Sequence, residues 1–179
     1  LSCGSDNNAP IDDPGNTTNH YLQLQPNGLN AIKVSCTEEN FVFPFQIKAV
    51  GNGSNQGGEA QINSWSEDEL KAYNNKEKTS YVLLPSSLYS LTSTEVSFKE
   101  GISTMDVEVK FNPSKVFAEF REKTVEYVIA LKLSSDKIQV RDSQSRILLS
   151  ISFDYPTVGL AASAAEVSVN KDLIPVSIG

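Results

Sequence analysis

The sequence predicts a mainly β protein, an antiparallel two-sheet β-sandwich with one short helix near residues 66–74. Three observations carry the sandwich. Apolar residues recur at every second position in one segment after another, the period at which alternate side chains of a strand share a face. Stretches rich in Gly, Asn, Ser and Pro separate those segments. Only one segment carries a full helix-start signal. Many short strands with little helix bury their apolar faces by pairing two sheets.

Residues 1–20, LSCGSDNNAPIDDPGNTTNH, are nearly free of apolar side chains and read as a flexible tether, because they bury too little surface to offset the entropy of ordering. The sandwich domain is expected over 21–157. AIKVS alternates, and NFVFPFQIKAV places Phe41, Phe43, Phe45 and Ile47 on one face. Pro44 lacks the N–H that a ladder needs, so an edge position or a bulge is expected there. GNGSNQGG at 51–58 is a loop, and the alternating EAQINSW after it is a strand. Its Gly51-x-Gly53 is therefore not read as a phosphate cradle, which needs a helix at that point. Ser66 with Glu69 forms a capping box, Glu67 and Asp68 suit the first turn, and Leu70 with Tyr73 make a short apolar stripe. After YVLLP and SLYSL, EVSFKEGISTMDVEVKF reads as a hairpin, with Val96 and Phe98 on one arm and Val107, Val109 and Phe111 on the other. Asn112-Pro113-Ser114 opens a second helical turn through VFAEF. VEYVIALKL and RILLSISFDY are strong strands, the first apolar enough to lie centrally.

Residues 158–179 are expected to be a linker and the opening strands of a second, similar domain. Val167-x-Val169 echoes Ile32-x-Val34, and Pro175 with Ile178 echoes Pro44 with Ile47. The alternative is a terminal strand of the same domain.

Composition narrows the chemistry. The 179 residues carry a net charge of −7 with scattered cations, so no basic face offers itself to nucleic acid. No apolar run is long enough to cross a bilayer as a helix. The single histidine, His20, lies in the tether, which leaves no histidine relay or zinc site inside the fold. No cofactor, metal or catalytic set is expected, although paired carboxylates at glycosidase spacing stay open. Cys36 shares a strand face with Ile32 and Val34 and reads as a small buried hydrophobe rather than a bridge to Cys3. Trp65, one residue before the helix cap, is expected to pack on Leu70 or Tyr73. Trp65 and Tyr73 are also the candidate carbohydrate contacts, since aromatic rings stack on the apolar faces of sugars.

The opening Leu-Ser-Cys-Gly fits the end of a lipoprotein signal, with Cys3 the lipidated residue and the polar tether holding the domain clear of the membrane. The membrane would be met through the lipid anchor alone.

The strand NFVFPFQIKA, the helix SWSEDELKAYN followed by YVLLPSSLYS, the hairpin segment VSFKEGIST…VEVKF and EYVIALKLSS together resemble an N-terminal domain of unknown function found in surface lipoproteins of Bacteroidetes. The resemblance covers roughly residues 30–155. It implies an immunoglobulin-like sandwich, encoded near Sus-type glycan-uptake systems. It also implies a non-catalytic module at the outer membrane or cell surface, with polysaccharide or oligosaccharide and outer-membrane glycan-uptake proteins as partners. Two alternatives stand beside it: an adhesion or assembly module whose sheet edges pair with another protein, and an accessory domain of an exported glycosidase.

Overall fold

A computed structural model describes residues 20–155. The expectations for Cys3, for the 1–19 part of the tether and for 156–179 lie outside the described residues. His20 is half-buried at the start of the first strand.

In chain order the elements are β1 (Tyr21–Gln25), β2 (Gly28–Ser35), β3 (Phe41–Val50), β4 (Gly58–Ser64), α1 (Glu67–Glu77), β5 (Tyr81–Leu83), β6 (Tyr89–Leu91), β7 (Glu95–Phe98), β8 (Thr104–Phe111), α2 (Pro113–Phe120), β9 (Glu126–Ser134), β10 (Gln139–Val140) and β11 (Arg146–Asp154). One sheet runs β10-β1-β3-β8-β6 and the other β2-β11-β9-β4-β7, with β5 also beside β9. The expected sandwich is present, and most pairs are antiparallel. Among the described residues three are parallel: β1 with β10, β2 with β11, and β5 with β9. The parallel β2–β11 pair arises because the chain leaves β1 through Pro26, Asn27 and Gly28 and changes sheets there. Gly28, at φ 71°, takes the positive-φ turn.

Alternation does what it predicts. Phe45, Ile47, Val107 and Val109 face Ile129, Leu131, Ile147 and Leu149 in one buried cluster between the sheets. Pro44 sits at a local edge: β3 pairs with β8 from Phe41 to Lys48, but β1 reaches only Gln46 to Val50. Its missing N–H therefore breaks no ladder.

The expected 95–111 hairpin is not formed. β7 pairs with β4 in the second sheet and β8 with β3 and β6 in the first. Both arms point apolar side chains inward, but from opposite walls of the core. The intervening loop, with Gly101 at φ 84°, carries the chain across. Local alternation cannot distinguish a hairpin from such an arch, since both bury one face per arm.

α1 runs three residues past the expected end. The Asn74 side chain explains this. Its amide nitrogen donates to the Tyr81 carbonyl at 2.9 Å, and its oxygen accepts from the Thr79 hydroxyl at 2.8 Å and the Tyr81 N–H at 3.1 Å. The helix ends on Lys78 in the left-handed region, whose N–H returns to the Asn74 carbonyl. α2 forms where Asn112 caps and Pro113 occupies the first turn.

α1 lies on the outer face of the second sheet and makes a third layer there. Beneath it Trp65, Leu70, Val128, Ala130 and Leu148 form a second buried cluster. This explains the continuous apolar run in β9: Tyr127, Ile129 and Leu131 face the sandwich core while Val128 and Ala130 face α1. Cys36 is a free thiol, half-buried rather than fully so, because β2 ends one residue before it.

A cleft beside the outer helix as the candidate functional site

α1 does not reach the sheet edge, and a cleft of about 360 Å³ opens between it and the β2–β11 pair. Trp65 and Leu148 form the floor, and Leu29 lies at the β2 rim. Tyr73 and Glu69 from α1 make one wall; Arg146 and Asp142 make the other.

Trp65 is placed by four contacts. Its backbone N–H donates to the Ala130 carbonyl at 3.0 Å, and its indole Nε1 donates to the Leu131 carbonyl at 3.1 Å. The Tyr73 ring meets the indole edge-on at 5.7 Å. The Arg146 guanidinium lies over the indole at 5.2 Å from the ring centre. The indole is only 5% exposed. It therefore packs with Leu70 and Tyr73, and its ring is not an open platform for a sugar. Tyr73 is half-buried and stacks at 6.4 Å on Tyr81, behind it. It is the aromatic side chain of this cleft with surface left to offer.

Glu69 serves two structural ends. Its carboxylate accepts the Ser66 N–H at 2.8 Å, closing the capping box, and takes the Lys132 ammonium at 2.6 Å. The Lys132 ammonium, with the Ser66 N–H, holds this carboxyl below its ordinary range. Burial, with Glu77 nearby, pushes the Tyr73 hydroxyl above its ordinary value; burial, with Glu126 nearby, does the same for Tyr81. Both phenols therefore stay protonated donors at neutral pH.

The cleft thus combines an apolar floor, one half-open ring, and charged donors and acceptors around a rim. That mixture suits a polyhydroxylated ligand with apolar ring faces. Sequence reasoning singled out Trp65 and Tyr73, and the structure brings them together. It missed Leu29, Asp142 and Arg146, which come from distant segments and carry no local signal. Among the described residues, no group of three or more His, Cys, Asp or Glu is placed to hold a metal ion.

A model of a family of N-terminal domains matches residues 13–140. Comparison with curated proteins gave no match. Among solved structures, a candidate carbohydrate-binding protein from Bacteroides ovatus superposes with a TM-score of 0.61 at 15% identity, over 74% of this chain and 36% of its own. EndoBT-3987 of Bacteroides thetaiotaomicron, solved with a Man5GlcNAc product, gives 0.55 at 17% identity over 74% of this chain and 31% of its own. A two-domain protein of unknown function from Bacteroides fragilis gives 0.55 at 10% identity over 76% of this chain and 46% of its own. At these identities the likeness is one of fold. The chain spans between about a third and a half of the length of these proteins.

Proposed function

The chain belongs to this family of N-terminal domains, and from that premise we propose that it is a non-catalytic module of a lipid-anchored, cell-surface protein that handles glycans. The observation that carries the reading is the cleft beside α1, on a sandwich shared with larger Bacteroides proteins, one a candidate carbohydrate-binding protein and one solved with a glycan product. In this reading Tyr73 offers its ring and hydroxyl to a sugar, Arg146 and Asp142 meet hydroxyls at the rim, and Trp65 stiffens the floor. Glu69 does not suit a glycosidase acid. Such a carboxyl must be raised above its ordinary range, whereas Lys132 pushes Glu69 the other way. Cys3 carries the anchor, at the outer membrane or cell surface, with outer-membrane glycan-uptake proteins as neighbours.

Affinity electrophoresis through polysaccharide-loaded gels tests the glycan part. Wild-type chain is expected to be retarded, and Tyr73→Ala with Arg146→Ala to migrate freely while still folded by circular dichroism, at a melting temperature lowered by the lost packing on Trp65. Asp142→Ala, which leaves those contacts in place, is expected to weaken retardation at an unchanged melting temperature. Equal migration of wild type and variants in every polysaccharide tried would refute it. Radiolabelled palmitate supplied to a host making the full-length product tests the anchor, with Cys3→Ser as the expected unlabelled control.

A second reading is an assembly or adhesion subunit. It is favoured by β2, an eight-residue edge strand that exposes Leu29 and, among the described residues, has β11 as its only strand partner.

A further inference from the structure

On the side of the molecule where α2 meets the end of β11, a trough of about 350 Å³ is lined by aromatic side chains. The Phe117 ring packs against Phe153 at 5.3 Å and against Tyr155 at 5.6 Å. Phe120 and Tyr127 meet at 3.9 Å and join the trough to the core. Phe117 and Phe153 are half-buried and Tyr155 is 64% exposed, so ring surface is left open. The same lining holds two cations, Arg121 and Lys123. They follow the last turn of α2, where the negative end of the helix favours positive charge. The Lys123 ammonium stands over the Phe120 ring, 4.8 Å from its centre. Among the described residues neither cation has a carboxylate at ion-pair distance.

Charge separates this trough from the cleft beside α1. That cleft sets Glu69, Glu77 and Asp142 against Lys76 and Arg146. In the trough Glu126 is the one carboxylate among the described lining residues. It is engaged elsewhere, accepting the Ser150 hydroxyl at 3.0 Å and standing near Tyr81. The Tyr127 hydroxyl is raised by burial and secondarily by Glu119, a residue of α2 that is not on the lining. In a chain of net charge −7, a concavity with unpaired cations and open rings is complementary to an anion that also has an apolar face. A uronate sugar has both. The C–H face of its pyranose ring stacks on aromatic side chains, and its carboxylate accepts a guanidinium fork. A neutral sugar would leave the cations unused, and a run of acidic residues in a peptide would leave the rings unused.

We propose that the trough between α2 and the end of β11 is a binding site for a uronate-containing saccharide. Tyr155 and Phe117 stack on the sugar ring, while Arg121 and Lys123 hold its carboxylate. The site shares no residue with the cleft beside α1 and does not depend on that cleft binding a glycan.

The test titrates the 179-residue chain with trigalacturonic acid and follows the backbone amide resonances. Saturable shifts are expected around residues 117–127 and 151–155, with none from the fully methyl-esterified trisaccharide and none from triglutamate. Arg121 and Lys123 are exposed, so Arg121→Gln with Lys123→Gln is expected to keep the wild-type spectrum away from the trough. Its affinity is expected to fall about tenfold, the loss of one charge-assisted contact. Tyr155→Ala is expected to weaken binding as well. Absence of saturable shifts would overturn the proposal, as would unchanged affinity in the double variant. Equal binding of the ester would show that the cations take no part, and equal binding of triglutamate that the rings take none; either overturns it. Tyr73→Ala with Arg146→Ala is expected to bind trigalacturonic acid as wild type does, and loss of binding there would move the site to the cleft. Retardation by neutral polysaccharide is expected to be the same for the Arg121 and Lys123 double variant as for wild type, so the two sites stand or fall separately.

Discussion

Trp65 owes its position to partners that no sequence window contains. Its indole is fixed by a carbonyl of β9, a ring of α1 and a guanidinium of β11. Trp65→Ala is expected to cost about 3–5 kcal/mol, as other large core truncations do, and chemical denaturation measures it. Loss of polysaccharide retention at unchanged stability would show instead that the ring is a ligand contact. Glu69 makes a pH-dependent prediction. Its folded carboxyl titrates below the unfolded one. Its contribution is then complete above the unfolded value, about pH 4.3, and fades as pH falls through the folded value. Glu69→Gln is expected to destabilise by about 1 kcal/mol or less at pH 7, since the Lys132 pair is over a third exposed and screened. The gap between variant and wild type should close in acid. A gap that stays constant down to about pH 3 would contradict the assignment.

At the scale of elements, capping and docking make different demands. Asn112 Oδ1 accepts the Lys115 N–H at 2.9 Å, so Asn112→Ala is expected to cost about 1 kcal/mol through α2. Thermal unfolding of the variant measures it. α1 holds by its apolar stripe, and within it Leu70 is the one fully buried side chain. Leu70→Ala is expected to cost about 2–5 kcal/mol, and hydrogen exchange should show α1 opening before the sheets. Uniform loss of protection across both sheets would mean that the helix is not a separable layer. The arch between β7 and β8 belongs to the same scale. Each arm is readable as a strand, but the choice of sheet depends on which wall of the core has room for it.

For the whole molecule, β9 and β11 are the strands on which both buried clusters meet, and Leu131 is fully buried in β9. Leu131→Ala is expected to lower the melting temperature by about 10 °C, from roughly 3 kcal/mol of lost packing. Trp65 fluorescence and backbone circular dichroism should shift together, because the indole is bonded to that same strand. Two separated transitions would argue against a single cooperative unit. The family match to an N-terminal domain agrees with the resemblance carried by the strand, helix and hairpin-segment motifs. Those motifs are made of local patterns that survive where overall identity to solved relatives is low. Of the cleft, only Trp65 and Tyr73 were legible, since each belongs to a helix-start signal written within nine residues. Arg146, Asp142 and Leu29 were not, because a cleft is a juxtaposition of segments and periodicity describes one segment at a time.

By itself the sequence determined which residues face a core: an alternating strand has one apolar side, and water drives that side inward whatever the partner. It likewise determined the start of α1 and the second turn at Asn112, since caps act within four residues. Only the tertiary structure decided which strands became neighbours, which pairs run parallel, and that α1 stops short of the β2–β11 edge. Those outcomes depend on how volumes from distant segments fill one shared interior, and such long-range packing has no local trace to read.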